Sequence, residues 1–356
     1  MNLLLFNLAT DSEHVTLAFA LKWVKELAHY FDHIDIVTMY EGKHDLPENV
    51  SVWSVGRERG YSKLSRIWKF YTIVLSILRL RRVDIAFTHM IHIFAVLFWP
   101  IAKVYRIRNV LWYAHGAVPF GLRIAHFLVD KIISPTPESF RLPSDKVEFL
   151  GHGIDTNLFT PSGLSENSTF RIISVGRISP VKGLDILVEA LRGWIIPDGK
   201  SWELTIIGTA TTDIERAYEK AFVKRVLELN KCGRISLLGR LDQIEIAQSL
   251  KQADVFISLS ATGSLDKAII EAMACGCPVL SSNDAFYSIA ERNGFPECYV
   301  SPSPDSVRSG LDWMVNLSEK ERKELSMRVE EVAKFNHSLD SLIQKLKSIL
   351  FYLARS

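Results

Sequence analysis

Two cations and two glycines lie close together in the segment SVGRISPVKG, residues 174–183. The apolar run before it is typical of a buried strand, and LDILVEAL after it has helical spacing. Gly176 allows a sharp turn, so we expect Arg177 at the carboxyl edge of a sheet and Lys182 just before a helix. Arg grips two phosphate oxygens and Lys adds a mobile charge, which favours a diphosphate site. The alternative is a solvated loop with incidental charges.

A second polar stretch, SLSATGSLDKAIIEAMACGCPVLSS, spans residues 258–282. It predicts a strand, a glycine-containing loop, a helix and a further strand. Glu271 lies among apolar or small residues of that helix, where an unbonded carboxylate is costly. One interpretation is that Glu271 accepts hydrogen bonds from sugar hydroxyls, as carboxylates do from a ribose diol. The other is a capping or ion-pair role, for example with Lys267 one turn earlier.

Other nucleotide and metal motifs are missing from the sequence. It contains neither G-x-x-x-x-G-K-[ST] nor a G-x-G-x-x-G after the first strand, which argues against a P-loop and an ordinary NAD site. The four cysteines, Cys232, Cys275, Cys277 and Cys298, have no paired metal spacing and are too few for a disulfide framework, which fits a reducing compartment. We expect Cys275 and Cys277 to be small core residues and not metal ligands.

The elements that must position these side chains alternate between short apolar strands and amphipathic helices, as in parallel sheets covered on both faces. The 356 residues suffice for two domains. A Ser-, Pro- and Gly-rich break at 159–169 predicts a linker. We therefore expect an α/β protein of two doubly wound, Rossmann-like domains, residues 1–164 and 165–335, facing a cleft into which the strand ends point. Residues 336–356 form a final amphipathic segment whose periodicity predicts a helix with one apolar face, and in similar proteins such a helix crosses back onto the first domain.

The N-terminal sequence and the longest apolar run bear on localisation. MNLLLFNLATDSEH lacks a basic leader region and reads as a buried first strand. The longest apolar stretch, residues 91–102, is too short to span a bilayer. The net charge of +2 points to no bulk electrostatic partner. We therefore expect a cytoplasmic protein, with peripheral membrane association as an additional expectation.

The two chemical segments resemble the signature regions of family-four glycosyltransferases, the retaining glycosyl transferases group 1 of GT-B fold. VLWYAHG resembles the strand and histidine at the edge of the family's N-terminal domain. VEFLGHGIDTNLFTP resembles the segment entering the linker, with His152 replacing the usual Asn. DVFISLS resembles the strand before the donor loop. The match covers most of residues 110–282 and is most specific in the C-terminal half.

The resemblance implies a role for each matching residue. Arg177 and Lys182 bind the donor diphosphate and stabilise the leaving group, Glu271 holds the nucleotide ribose, and His115 lies beside the transferred sugar. The implied reaction moves a hexosyl unit from a nucleotide diphosphate sugar to a hydroxyl of a glycan or lipid-linked acceptor, with retention. The sequence has no Asp-x-Asp, and the cations make a metal or other cofactor unnecessary. Gly176 and the donor loop complete the implied site: Gly263, Ser264, Leu265 and Lys267.

The sequence departs from the family pattern at two places. The first Glu of the family's Glu-x7-Glu motif falls on Gly263, so Asp266 is expected to reach the donor sugar instead, or Lys267 to add a cation for the phosphates. The glycine-rich first loop is replaced by ATDSEH, residues 9–14. There Asp11 and Glu13 are expected either to meet acceptor hydroxyls or to be helix N-terminal charges. The alternatives to an active transferase are a non-catalytic nucleotide-sugar-binding protein and a GT-B phosphorylase or epimerase.

Residues 57–82 hold eight Lys or Arg against one acid, Glu58, with aromatic residues between them. Such a surface suits anionic lipid headgroups, as a lipid-linked acceptor requires. The alternative is a surface loop followed by an ordinary helix with basic ends. Nucleic acid is not expected, because no other feature of the sequence supports it.

Overall fold

The computed structural model describes residues 1–14, 18–162, 169–196, 200–229, 234–260 and 263–356, which form two compact units. Unit 1 is Met1–Gly151 with Leu339–Ser356, and unit 2 is His152–Ser338. These bounds differ from the predicted ones, because Ile154 and Phe159 join the core of unit 2. The Ile154 N–H also donates a hydrogen bond, 2.7 Å long, to the carbonyl of His337 near the C-terminal end of unit 2.

Unit 1 is a parallel seven-stranded sheet of order β3-β2-β1-β4-β5-β6-β7 with helices on both faces. Its strands are β1 Asn2–Thr10, β2 His33–Glu41, β3 Val50–Ser54, β4 Ile85–His89, β5 Arg108–Trp112, β6 Lys131–Ser134 and β7 Val147–Phe149. Its helices are α1 Phe19–Ala28, α2 Lys63–Leu80, α3 His92–Tyr105, α4 Phe120–Leu128 and, from the end of the chain, α12 Leu339–Arg355.

The two faces of this sheet are covered differently. On one face, Phe6 of β1 meets Phe70, Phe94 and Phe98 of α2 and α3, with ring centroids 5.2–5.9 Å apart. On the other face, α1 and α12 cover the strands, and leucines spaced at helical intervals along α12 are fully buried. The apolar stripe of the C-terminal helix is therefore part of the core of unit 1.

Unit 2 is a parallel five-stranded sheet of order β10-β9-β8-β11-β12. Its strands are β8 Thr169–Val175, β9 Ser201–Ile207, β10 Ile235–Gly239, β11 Val255–Ser258 and β12 Val279–Ser281. Its helices are α5 Leu184–Leu191, α6 Asp213–Leu229, α7 Gln243–Gln252, α8 Lys267–Ala274, α9 Asp284–Arg292, α10 Pro304–Asn316 and α11 Glu319–His337.

The alternation of apolar runs along the sequence also predicts a strand at residues 298–301, and this strand is absent from unit 2. The segment CYVS, residues 298–301, makes only an isolated bridge between Ser281 and Tyr299. A 3₁₀ turn, Pro296–Cys298, includes the first residue of this segment, and Pro296 suits the start of the turn because its φ is already fixed near a helical value. The predicted α/β class with two doubly wound sheets is confirmed.

The predicted burial of Cys275 and Cys277 is confirmed, and Cys298 is buried as well. Cys275, Cys277 and Cys298 are free and buried, and burial raises the pKa of the Cys275 and Cys298 thiols to about 12. Such thiols are poor nucleophiles at neutral pH. Cys232 lies outside the described residues. Across the described ranges, no helix is both long and apolar enough to cross a membrane.

Candidate functional site

The turn after β8 is shaped by a close approach between two glycines. The Gly176 N–H bonds the Ile207 carbonyl at 2.9 Å, with φ at +151°. Gly208, at the end of β9, has φ at +137°, and a Cβ there would lie 1.8 Å from the Gly176 carbonyl oxygen. No side chain fits at Gly208, so a glycine is needed at this position for the two strand ends to approach each other this closely.

Arg177 leaves this turn toward the start of α6. Its Nη1 lies 2.5 Å from Glu215 Oε1 and 3.5 Å from Thr211 Oγ1. The Glu215 side chain is only 10% exposed, whereas that of Arg177 is 43% exposed. The guanidinium is therefore anchored on one side and open to solvent on another.

Lys182 closes a 3₁₀ turn, Pro180–Lys182, and precedes the left-handed Gly183 at φ +63°. Its side chain folds back over the glycine turn, with Cε 3.2 Å from where a Gly176 Cβ would be. The ammonium pairs with Asp266, the residue before α8, and both side chains are about one-sixth exposed. The structure thus brings the basic turn of β8 against the donor-loop segment predicted from the second motif.

Lys267 and Glu271 form a third ion pair, 3.2 Å long and one turn apart on α8. Burial raises the pKa of the Glu271 carboxyl, and Lys267 opposes this shift. The described site therefore contains three cations, each paired with one carboxylate: Arg177 with Glu215, Lys182 with Asp266, and Lys267 with Glu271. An incoming dianion must share or displace these partners.

The loop before α8 is held in place by Asn283, a residue that the sequence interpretation did not single out. Asn283 Nδ2 donates to the Ser264 carbonyl at 2.9 Å, while its Oδ1 accepts from the Ala285 and Phe286 N–H groups and caps α9. Gly263 has φ at +69°, and Leu265 is buried. The backbone of the predicted donor loop is therefore fixed by a side chain from the next strand–helix turn.

His152, which replaces the Asn of the family segment, is buried in unit 2. Its N–H donates to His337 Nδ1 at 3.2 Å, and the two rings stack with centroids 5.9 Å apart. Burial lowers the pKa of His152 well below its ordinary value, and the charges of His337 and Lys267 act in the same direction. Its Nε2 has no hydrogen-bond partner within the described part of the chain. The ring is therefore neutral at physiological pH.

His115 lies in unit 1, exposed after β5. Its N–H donates to the Ser139 carbonyl at 3.1 Å, and its Nδ1 accepts the Ala117 N–H at 3.0 Å, which leaves Nε2 to carry the ring proton. The turn is supported by Met90, a non-glycine residue at φ +67°, whose Sδ accepts the Ala114 N–H at 3.3 Å. Strain of this kind persists only where surrounding contacts fix the conformation.

Asp11 and Glu13 follow the end of β1 in unit 1. Asp11 is nearly buried, packs against Gly42, and accepts the Glu13 N–H at 3.0 Å. Glu13 is exposed and lies 2.8 Å from Lys43 Nζ. The first turn of α1 contains no acidic residue, since this helix begins at Phe19. Residues 15–17 lie outside the described part of the chain.

The predicted residues thus fall into two groups. Within unit 2, the structure brings the basic turn together with Asp266, Lys267 and Glu271, whereas His115, Asp11 and Glu13 belong to unit 1. Sequence interpretation missed Glu215 and Asn283. The pattern Thr-x-x-Glu at 212–215 signals a helix start, but it cannot show that the same carboxylate reaches Arg177.

Comparison with known sequences places unit 2 in a described family. Residues 156–332 match the family described as glycosyl transferases group 1. The chain is 33% identical over 162 residues to the amylovoran biosynthesis glycosyltransferase AmsK of Erwinia amylovora, covering 44% of this chain and 36% of AmsK. It is 26% identical over 220 residues to the putative colanic acid biosynthesis glycosyltransferase WcaL of Salmonella typhimurium, covering 59% of this chain and 48% of WcaL. These matches therefore span less than half of either relative.

Solved structures share the fold along nearly the whole chain. Anabaena Alr3699/HepE, crystallised in complex with UDP, superposes with a TM-score of 0.78 at 17% identity, covering 99% of this chain and 100% of that one. Sucrose-phosphate synthase (tll1590) from Thermosynechococcus elongatus gives a TM-score of 0.78 at 16% identity, covering all of both chains. The predicted GT-B fold is thereby confirmed.

Proposed function

Because residues 156–332 belong to the glycosyl transferases group 1, we propose that this protein is a glycosyltransferase acting on a nucleotide diphosphate sugar. It transfers a hexosyl unit to a hydroxyl of a glycan or lipid-linked acceptor, with retention and without a metal. The observation that carries the proposal is the placement of Arg177 and Lys182 on one tight turn at the carboxyl edge of β8. HepE, crystallised with UDP, and relatives named for polysaccharide biosynthesis support it.

The two cations stabilise the charge that develops on the leaving diphosphate. Arg177 retains its outward-facing N–H groups for phosphate oxygens, while Glu215 holds Nη1. Lys182 exchanges the Asp266 carboxylate for a phosphate oxygen. Asp266 makes no capping bond to α8, so it is free to turn toward the donor sugar once it is released. Loss of one such preorganised donor typically costs a few kcal/mol of barrier.

The remaining donor contacts follow from α8 and its preceding loop. Glu271 accepts hydrogen bonds from the ribose hydroxyls, with Lys267 beside it to keep the buried carboxylate charged. The backbone N–H groups from Gly263 to Asp266 directly precede α8, and the partial positive charge at a helix N-terminus favours an anion. On the acceptor side, we assign His115 to the neighbourhood of the transferred sugar, and Asp11 and Glu13 to acceptor hydroxyls.

A donor panel tests this proposal directly. Thermal shift and hydrolysis are measured with UDP-, GDP-, ADP- and dTDP-sugars for the wild type and Arg177→Ala. Arg192→Ala is the matched control, because Arg192 lies at the end of α5 and pairs only with the nearby Glu189 among the described residues. One donor should stabilise and be slowly hydrolysed by the wild type and the control, and both effects should be much weaker in Arg177→Ala at the same donor concentration. If no nucleotide sugar binds the wild type, the proposal is wrong.

Helix α2 is the proposed contact with an anionic membrane that presents a lipid-linked acceptor. Leu64, Trp68 and Leu75 recur at helical spacing on one face and are 79%, 68% and 36% exposed. The exposed Arg79 lies on the same side, and Lys63 begins the helix. Apolar side chains flanked by cations suit an interfacial helix.

Vesicle sedimentation tests this contact. Binding to vesicles containing anionic lipid should exceed binding to neutral vesicles and should fall in Trp68→Ser. Tyr352→Ser is the control, because Tyr352 is a similarly exposed aromatic residue of the same unit at 73%. Equal binding by all three proteins, or none to anionic vesicles, would remove α2 as a membrane contact.

A non-catalytic nucleotide-sugar-binding protein is the second candidate function. It is favoured by Gly263 at the position of the family's first Glu, together with the Lys182–Asp266 pair, which neutralises a phosphate-binding cation. Tight donor binding without hydrolysis or transfer to any acceptor would support this candidate over the transferase. Release of a sugar phosphate in the presence of inorganic phosphate would instead identify a phosphorylase, and isomerisation of the donor without an acceptor would identify an epimerase.

A further inference from the structure

The Glu215 carboxylate divides its two oxygens between two tasks. Oε2 accepts hydrogen bonds at the start of α6, from the Thr211 N–H at 2.9 Å, the Thr211 hydroxyl at 2.6 Å and the Thr212 N–H at 3.1 Å. Oε1 instead faces Arg177 Nη1 at 2.5 Å. The carboxylate is therefore more than a helix cap, because capping α6 uses only Oε2 and leaves Oε1 for Arg177.

These contacts keep Glu215 both ionised and immobile. Burial alone would raise the pKa of the carboxyl, but the Thr211 hydroxyl and N–H, the Arg177 charge and the Thr212 N–H together hold it below the ordinary value. A ligand phosphate cannot easily displace a carboxylate held by three donors of its own chain. The Asp266 partner of Lys182 has no comparable anchoring, since its side chain makes no capping bond.

Arg177 is correspondingly fixed at one edge only. Nη1 is its only nitrogen with a hydrogen-bond partner in the described ranges of the chain, so Nε and Nη2 keep their N–H donors. A guanidinium has a planar fork of donors, and fixing one of its nitrogens limits the directions available to the others. A flexible side chain that is already oriented loses less entropy when it binds a ligand.

We propose that Glu215 is a positioning residue for the donor site, which orients Arg177 so that its free edge receives the diphosphate. This inference rests on the proposed function and deepens it by adding a residue from α6 to the phosphate site. Glu215 itself touches no phosphate, and it acts only through Arg177. The competing explanation is that Glu215 serves α6 alone, as the N3 residue of a capping box with Thr212, whose hydroxyl accepts the Glu215 N–H at 3.2 Å.

Two variants separate these explanations. Glu215→Gln keeps the length of the side chain and one oxygen for the helix cap, but it removes the charge that holds Arg177. Thr212→Ala removes the hydroxyl of the capping box and leaves the Glu215–Arg177 pair intact. If Glu215 serves α6 alone, both variants should lower the melting temperature. Neither variant should then change donor affinity by more than mild destabilisation of the protein would.

The experiment is calorimetric titration of the full chain with UDP, GDP, ADP and dTDP, using whichever nucleotide binds the wild type. The proteins are the wild type, Glu215→Gln, Thr212→Ala, Arg177→Ala and the double variant Arg177→Ala/Glu215→Gln. Glu215→Gln should weaken binding by about tenfold to a hundredfold, the range for a lost charge-assisted hydrogen bond. Thr212→Ala should bind as the wild type does. In the double variant, Glu215→Gln should add no further loss, because its effect passes through Arg177.

Three results would overturn the inference. Unchanged or tighter binding by Glu215→Gln would show that the carboxylate only caps α6 or competes with phosphate. Equal losses of nucleotide affinity in Glu215→Gln and Thr212→Ala would show that only the start of α6 matters. A full further loss of affinity on adding Glu215→Gln to Arg177→Ala would show that Glu215 does not act through Arg177. These failures differ from failure of the proposed function, in which the wild type binds none of the four nucleotides and the inference fails with it.

Discussion

Lys267 Nζ lies 3.2 Å from Glu271 Oε1, one turn along α8, with the carboxylate buried and the ammonium partly exposed. This ion pair is one of the two roles that the sequence suggests for Glu271, and it is compatible with the other. A carboxylate has about four lone-pair positions, so an ion pair at one oxygen leaves acceptors for a ribose diol.

Glu271→Gln should weaken nucleotide binding without affecting bare diphosphate. The neutral amide accepts ribose hydrogen bonds less strongly, and a charge-assisted bond contributes about 1.5–3 kcal/mol. We therefore expect at least a tenfold loss of affinity for the nucleoside diphosphate that binds the wild type, and little change for pyrophosphate. Calorimetric titration with both ligands checks this prediction. Equal losses for the two ligands would place Glu271 at the phosphates instead of the ribose.

Asp266→Asn should separate diphosphate binding from turnover. The substitution frees Lys182 from its carboxylate partner, so affinity for the nucleoside diphosphate should rise about threefold to tenfold, as expected when a partly buried ion pair is released. Hydrolysis or transfer of the nucleotide sugar should fall about tenfold or more, because the proposed contact to the sugar is lost. Calorimetry and a donor-turnover assay measure the two effects. Loss of both would mean that Asp266 only positions Lys182.

Gly208→Ala should destabilise unit 2 strongly. A Cβ at Gly208 would lie 1.8 Å from the Gly176 carbonyl, so the two strand ends must separate. Overpacking and strain of this kind cost about 2 kcal/mol or more. The control is Gly193→Ala, where φ is +68° but no atom lies within 4 Å of a new Cβ, so only about 1 kcal/mol of backbone strain is expected. Thermal melting compares the two, and equal shifts would contradict the close approach.

Acidification should destabilise unit 1 through His89. His89 is the last residue of β4, and its ring centroid lies 5.1 Å from that of Trp23. Burial lowers the pKa of His89 to about 4. The unfolded chain therefore binds a proton that the folded chain does not, and stability falls as pH drops below about 6.5.

The effect of His89 can be isolated by comparison with His89→Phe, which keeps an aromatic ring in the cluster. Between pH 7 and pH 5 the wild type should lose about 2 kcal/mol more stability than the variant. Urea unfolding followed by tryptophan fluorescence at both pH values measures the difference. Parallel losses in the two proteins would assign the pH dependence to other groups.

Much of the fold could be predicted from the sequence, because parallel strands buried on both faces read as short apolar runs. The exception is residues 298–301, an apolar run whose first residue, Cys298, belongs to the 3₁₀ turn that Pro296 begins. The domain bounds were harder to place, since Ile154 and Phe159 stand within a segment rich in Gly, Asn and Pro, yet they are buried in unit 2.

The site was predictable only as far as its motifs are local. The spacing of Arg177 and Lys182 after a strand is visible in the sequence, as is Glu271 in an apolar helix. The partners of Arg177 and Lys182 are not visible in the sequence, because Glu215 and Asp266 lie 38 and 84 residues away from the cations they bind. Such pairs depend on the order of strands in the sheet, which composition and periodicity do not specify. The roles of these residues in donor binding remain predictions.

The return of α12 to the sheet of unit 1 affects the order in which the chain can fold on the ribosome. Unit 2 is continuous in sequence, so all of it has been translated before the helix that completes the core of unit 1. Domains generally fold in the order of their synthesis. Part of one apolar face of the N-terminal sheet therefore stays uncovered until Leu339–Arg355 has been translated. A nascent chain stalled before residue 339 should therefore hold a folded second unit and an unfinished first one, which makes it a substrate for chaperones.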